Sequence, residues 1–218
     1  MNRKKDIIKQ IESLSGSRSA YDVFYDWVKL MALALQNSCC MIENKIWKER
    51  EEEYLKTIAP YGKDGRKFRE MFDMLVETMD IEISDILGEI YMESGCGNKS
   101  TGQFFTPFHV SEVAAAMALT KMDLTRTVIL NEPSCGGGGM IIAAVKNLKE
   151  RGLKPQAVLK VVAQDLDWKA VYMCYTQLSI LGVDAVVVQG NTLEELDWKT
   201  RPKKCIFRTP KNMGLLLW

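Results

Sequence analysis

The sequence predicts an α/β fold built on a parallel sheet and preceded by a helical region. Three observations lead there. Residues 1–93 carry apolar side chains at helical spacing almost throughout. Residues 127–207 alternate short apolar runs with helical stretches, the grammar of a parallel sheet with right-handed crossovers. Between the two, Ser94-Gly95-Cys96-Gly97-Asn98-Lys99-Ser100-Thr101-Gly102 breaks the periodicity with glycine and small polar residues, as a linker or mobile loop does. The expected domains are residues 1–100, helical, and residues 101–218, the α/β domain.

Residues 21–36 set Val23, Phe24, Trp27, Val28, Leu30 and Met31 on one broad apolar face, which makes a helix. A second helix spans 42–58, and its run Lys48-Glu49-Arg50-Glu51-Glu52-Glu53 reads as a solvated face. Residues 60–65, with Pro60, Gly62 and Gly65, are expected to form a loop. Further helices are expected over 66–79 and 84–93, the latter capped by Ser84. Thr106 then caps a helix reaching residue 122, with Pro107 in its first turn. Strands are predicted over 127–130, 158–163, 185–188 and 205–207, and crossover helices over 139–151 and 168–181.

The chain of 218 residues is 47% apolar and 26% charged, a globular composition long enough to bury a core. No apolar run has the ~18–20 residues of a membrane span. The charged N-terminus lacks the apolar segment of a signal peptide, so a cytoplasmic location is expected. The six cysteines form no C-x-x-C pair and His109 is the one histidine, which leaves little for a zinc site and favours reduced, buried thiols. The net charge of +1 hides an asymmetry. Lys199, Arg201, Lys203, Lys204, Arg208 and Lys211 follow Asp197 with no acidic residue among them, a patch able to meet phosphate or simply to face solvent.

In open parallel sheets ligands bind at the carboxyl ends of the strands. The first strand runs into Asn131-Glu132-Pro133-Ser134-Cys135-Gly136-Gly137-Gly138-Gly139. Its four glycines let the backbone turn tightly against a ligand or simply turn. A dinucleotide fingerprint needs Gly or Ala where Ile141 or Ile142 stands, and no Gly-Lys-Ser/Thr follows, so the phosphate-binding readings fail. The second strand ends in Gln164-Asp165-Leu166-Asp167, where Asp165 can accept from both hydroxyls of a ribose or cap the next helix. The third ends in Gly190-Asn191-Thr192, short polar residues able to read an adenine edge. Together the loops suit an adenosine-containing ligand without pyrophosphate, and S-adenosylmethionine fits that description.

Gly102-Gln103-Phe104-Phe105-Thr106-Pro107 resembles the segment preceding the glycine-rich motif in N-6 adenine DNA methylases, most of all the modification subunits of type I restriction–modification systems. Asn131 to Gly139 resembles the cofactor loop of that family, and Asp85-Ile86-Leu87-Gly88-Glu89-Ile90-Tyr91 resembles its preceding helix. The likeness covers roughly residues 80–195. It implies a Rossmann-like S-adenosylmethionine-dependent methyltransferase core acting on DNA, with a specificity or restriction subunit as partner. By the same likeness, Phe105, Thr106 and Pro107 flank the methionine end of the cofactor. Glu132, Pro133, Ser134, Cys135, Gly136, Gly137 and Gly138 wrap it. Asp165 and Leu166 lie toward the ribose, and Asn191 and Thr192 toward the adenine.

One departure concerns catalysis. The family follows its fourth strand with Asn-Pro-Pro-aromatic, which accepts hydrogen bonds from the adenine amine and stacks on the flipped base. Here that place reads Arg208-Thr209-Pro210-Lys211-Asn212-Met213, leaving Thr209 and Pro210 as the catalytic candidates. The resemblance also implies further strands beyond residue 218, so the cofactor domain is expected to be incomplete at its C-terminal end. The resemblance implies an adenine-specific DNA methyltransferase of a restriction–modification system, and the departure from its catalytic motif leaves a second expectation, a catalytically silent cofactor- or DNA-binding module.

Overall fold

The computed structural model describes residues 3–16, 18–95, 105–120, 122–194 and 197–215. Gly102, Gln103, Phe104 and most of the expected linker lie outside the described residues. The chain divides into two compact units: residues up to Glu82 together with Ile86–Phe105, and Ile83–Asp85 together with Thr106 onward.

The first unit is helical: α1 (Arg3–Ser15), α2 (Ala20–Ser38), α3 (Lys45–Ile58), α4 (Arg66–Ile81) and α5 (Ile86–Glu93). α2 starts on a capping box, in which the Ser19 hydroxyl accepts from Asp22 N–H and the Asp22 carboxylate accepts from Ser19 N–H. Asn44 caps α3, so that helix begins later than the apolar pattern suggests. Residues 59–65 wind into a 3-10 turn rather than an open loop. α5 starts at Ile86, too late for Ser84 to be its cap. Ile7, Ile11, Phe24, Trp27, Met71, Leu75 and Tyr91 form the core, and the Trp27 indole N–H donates to Phe68 O. No helix among the described residues is long and apolar enough to cross a membrane.

The second unit carries α6 (Phe108–Leu119), β1 (Val128–Glu132), α7 (Gly139–Glu150), α8 (Pro155–Val158), β2 (Leu159–Asp165), α9 (Trp168–Ile180), β3 (Asp184–Gln189) and β4 (Ile206–Arg208). The strands lie in the order β1-β2-β3-β4. β1, β2 and β3 pair in parallel, Glu132 opposite Ala163 and Asp165 opposite Gln189, so their carboxyl ends share one edge. Ala185–Val188 are buried in succession and α9 is buried along nearly its whole length, as expected where both faces of a sheet are covered.

Two expectations are corrected. β4 runs antiparallel to β3, with Val188 opposite Ile206 and Val186 opposite Arg208. A parallel return needs a crossover, usually a helix, whereas the β3–β4 connection holds only the short 3-10 turns Trp198–Thr200 and Lys203–Cys205 among its described residues. α6 begins at Phe108 with Pro107 in the cap position, one residue later than a Thr106 cap requires. Pro107 sits at φ −54° and ψ 135°, and its carbonyl accepts from Val110 and Ser111.

Candidate functional site

Three loops leave the carboxyl ends of β1, β2 and β3, and hydrogen bonds lace them together. Cys135 N–H donates to Gln164 O at 2.9 Å, and Gly136 N–H donates to the Asp165 carboxylate at 2.9 Å. Gly190 N–H donates to Asp165 O at 2.9 Å, and the Thr192 hydroxyl to Pro133 O at 2.8 Å. The glycine turn is thus tied to the second loop, and the third loop to both.

Within the turn, Gly136 has φ +52° and Gly138 φ +98°, backbone that side chains rarely adopt. Pro133 and Ser134 are exposed and Cys135 is buried. The Cys135 thiol is pushed well up by its hydrogen bond with Cys174 and by burial, with Asp165 and Glu132 adding to both, so it stays protonated. The Glu132 carboxyl titrates above the usual glutamate range. Burial is the larger cause and the neighbouring Asp165 adds to it, while the bond from Ser134 N–H works the other way.

Asp165 stands at the centre of the site. One carboxylate oxygen accepts from Gly136 and the other from Asp167 N–H at 3.0 Å. The cap of α9 is Asp167, which accepts from Lys169 N–H at 2.9 Å, so the capping alternative for Asp165 is excluded. Each Asp165 oxygen accepts one of these N–H groups and has further lone-pair capacity. Leu166 beside it is 66% exposed. Asn191 spends its side-chain oxygen on Leu193 N–H at 3.1 Å, and its Nδ2 has no partner among the described residues.

Other predicted residues lie elsewhere. Phe105 belongs to the helical unit, its ring 5.2 Å from that of Tyr91, while Thr106 and Pro107 lead into α6 in the α/β unit. Thr209 is fully buried, donating to Val183 O at 2.6 Å and accepting from Ala185 N–H at 3.0 Å. Because β4 is antiparallel, Thr209 and Pro210 reach the amino end of β3, opposite the glycine turn. Thr209, offered by the sequence with Pro210 as a catalytic candidate, thus ties the chain after β4 to the start of β3. The basic stretch is also divided. Arg201 lies over Gly190, where a Cβ would come within 2.7 Å of its Nε, and donates to Gln189 O at 3.1 Å. Arg208 donates to Asn212 and faces the Trp198 ring. Lys203 and Lys204, exposed before β4, remain at the sheet end that carries the glycine turn.

Sequence reasoning missed Arg201 as a wall of this site, and it missed Asp85 and Gln177, which meet the glycine turn from beneath. Gln177 Nε2 donates to Asp85 Oδ1 and to Gly137 O, both at 2.8 Å. The one available signal is Gln177 itself, a polar side chain in a helix with no exposed face.

A family model described as N-6 DNA methylase matches residues 83–211. The type I restriction enzyme MpnII methylase subunit of Mycoplasma pneumoniae is 23% identical over 143 residues, 60% of this chain and 25% of that protein. Among solved structures, a Listeria monocytogenes protein described as a class I S-adenosylmethionine-dependent methyltransferase gives a TM-score of 0.51 at 10% identity, covering 88% of this chain and 54% of the other. That likeness bears on the fold alone, which it supports as Rossmann-like. A type I restriction–modification methyltransferase subunit from Streptococcus thermophilus gives a TM-score of 0.47 at 16% identity, covering 91% of this chain and 41% of the other. The chain therefore spans 25% of the curated relative's length.

Proposed function

The chain belongs to the N-6 DNA methylase family, and from that premise we propose that its α/β unit binds S-adenosylmethionine at the carboxyl ends of β1, β2 and β3. It does so as the cofactor-holding part of an adenine-specific DNA methyltransferase of a restriction–modification system. The observation that carries this reading is the lacing of all three strand-end loops around Asp165. The donor set fits the ligand. Asp165 offers lone pairs to a ribose diol, Leu166 an apolar face to a ring, and Asn191 Nδ2 a donor to a base nitrogen. Glu132 and Asp165 place negative charge where a sulfonium and an ammonium group would be favourable. Pro133, Ser134, Cys135 and Gly136 to Gly138 would line the turn, and Thr192 closes it against the third loop. Thr106 and Pro107 would approach by way of α6. The cofactor, when bound, supplies an electrophilic methyl on sulfur.

Activation of the accepting amine is a separate requirement. The fourth-strand residues that the family likeness assigns to it stand at the wrong sheet end, with the Thr209 hydroxyl already given to Val183 O. This favours a second reading in which the chain binds cofactor or DNA and acts through a specificity or restriction subunit. Calorimetric titration with S-adenosylmethionine tests the shared part of both. A hydrogen bond to a charged group contributes roughly 1.5–3 kcal/mol, so Asp165→Ala should weaken binding about 10- to 150-fold. Equal affinity in a folded Asp165→Ala protein removes Asp165 from the site, and no binding by the wild-type chain removes the cofactor.

A further inference from the structure

A buried carboxylate supports the turn between β1 and α7. Asp85 is 4% exposed and lies in the short segment Ile83–Asp85, which groups with the α/β unit although residues on either side do not. Its Oδ1 accepts from Gln177 Nε2 at 2.8 Å, and that nitrogen also donates to Gly137 O at 2.8 Å. A Cβ built on Gly137 would lie 3.1 and 3.2 Å from the two Asp85 oxygens, and one on Gly139 would lie 3.2 Å from Oδ2. The carboxylate is therefore packed directly against the backbone of residues 137–139.

That position matters electrically as well as sterically. α7 starts at Gly139, and its cap residue Gly138 provides no side-chain acceptor. The first amides of a helix lack intrahelical acceptors and carry partial positive charge. Asp85 brings two acceptor oxygens to that end from inside the protein. Stability alone explains such a group poorly, because burying a carboxylate is expensive unless its partners compensate fully. Part of that compensation is the Gln177 amide, which also holds the turn's carbonyl.

We infer that Asp85, acting with Gln177, is the positioning residue of the glycine turn, fixing residues 136–139 in the shape that receives the cofactor. The inference rests on the cofactor reading above, and its test separates the two. In the full 218-residue chain, Asp85→Asn keeps the volume and removes the charge, and Gln177→Leu removes the donor from α9. Hydrogen exchange of the Gly136 and Gly138 amides is compared with that of Val161 and Ala163 in β2, and S-adenosylmethionine binding is titrated calorimetrically. Both variants should speed exchange in the turn at least tenfold relative to β2 and weaken binding at least tenfold. General destabilisation would instead speed the turn and β2 together, leaving their ratio unchanged, and that result overturns the role. A loosened turn with unchanged affinity overturns it too. A loosened turn in a chain whose wild type never binds S-adenosylmethionine leaves Asp85 positioning the turn and removes the cofactor reading instead. Should Asp85→Asn fail to fold, Gln177→Leu carries the same test from the opposite side of the contact.

Discussion

Gly138→Ala is the sharpest test of the turn, because Gly152 closes the other end of the same helix and provides a control. Gly138 holds φ +98° and Gly152 φ +75°, so alanine is strained at both. Left-handed backbone costs an L-residue about 1–2 kcal/mol, offset by about 0.4–1 kcal/mol from the stiffer unfolded chain. A Cβ at Gly152 would meet nothing within 4 Å, so Gly152→Ala should cost about 0.5–1 kcal/mol. At Gly138 the new methyl would stand 3.2 Å from Cys174 Sγ and 3.5 Å from its Cα, against a fully buried side chain. Overpacking adds about 1–2 kcal/mol there, for a total of about 1.5–3 kcal/mol. With a urea slope of about 2 kcal/mol/M, the midpoint of Gly138→Ala should fall roughly 0.5–1 M below that of Gly152→Ala, at equal slopes. S-adenosylmethionine binding should fall only in the Gly138 variant. Equal midpoints for the two would refute the packing described for the turn.

Three further outcomes are expected. In the folded chain Glu132 keeps its proton at pH values where the unfolded chain has lost it. Its contribution to stability is thus fully present below the ordinary glutamate range and is lost as pH rises through the elevated value. A cationic ligand favours the ionised form, so S-adenosylmethionine should bind more weakly on acidification and release protons. Calorimetry in buffers of different ionisation enthalpy checks this, and pH-independent affinity from pH 5 to about 8 counts against Glu132 facing the ligand. The chain alone should transfer no methyl to adenine, since the Thr209 hydroxyl is committed at the far end of the sheet; robust labelling of DNA by the purified protein would contradict this. Lys203→Ala with Lys204→Ala should flatten the slope of log DNA affinity against log salt by up to about two units, at about 0.9 per phosphate contact. An electrophoretic shift series at several salt concentrations measures it, and no shift even at low salt excludes direct DNA binding.

The periodic elements were legible because their residues obey local rules. β3 reads as a buried run and is one. α7 and the glycine turn were legible because glycine, at Gly138, does what other residues cannot. What escaped depends on partners distant in sequence. Whether residues 206–208 pair in parallel or antiparallel is not encoded in those three residues but in the connection before them, which among its described residues holds only short 3-10 turns. The choice between Asp165 and Asp167 as the α9 cap turned on a competition: Asp165 is held by Gly136, and Asp167, one residue before the helix, is free to cap. The contact of Asp85 with the turn escaped for the same reason, because Ser84-Asp85 before an apolar run looks like a helix start, and Gln177, which donates to it, is 92 residues away.

The reversal of β4 also changes which residues approach the cofactor edge. A parallel β4 would bring Thr209 and Pro210 beside the glycine turn, with the lysines at the opposite end. The antiparallel strand does the reverse: Ile206 pairs with Val188, near the carboxyl end of β3, and Thr209 ties back to Val183 and Ala185 at its start. The groups brought to the cofactor edge are then Arg201, already spent on Gln189, and the exposed Lys203 and Lys204. Cations can hold a phosphate backbone, but they accept no hydrogen bond from an adenine amine and so cannot raise its nucleophilicity. On the proposed reading, cofactor binding and base activation are therefore physically separable, and the exposed lysines at this end of the sheet cannot supply the second.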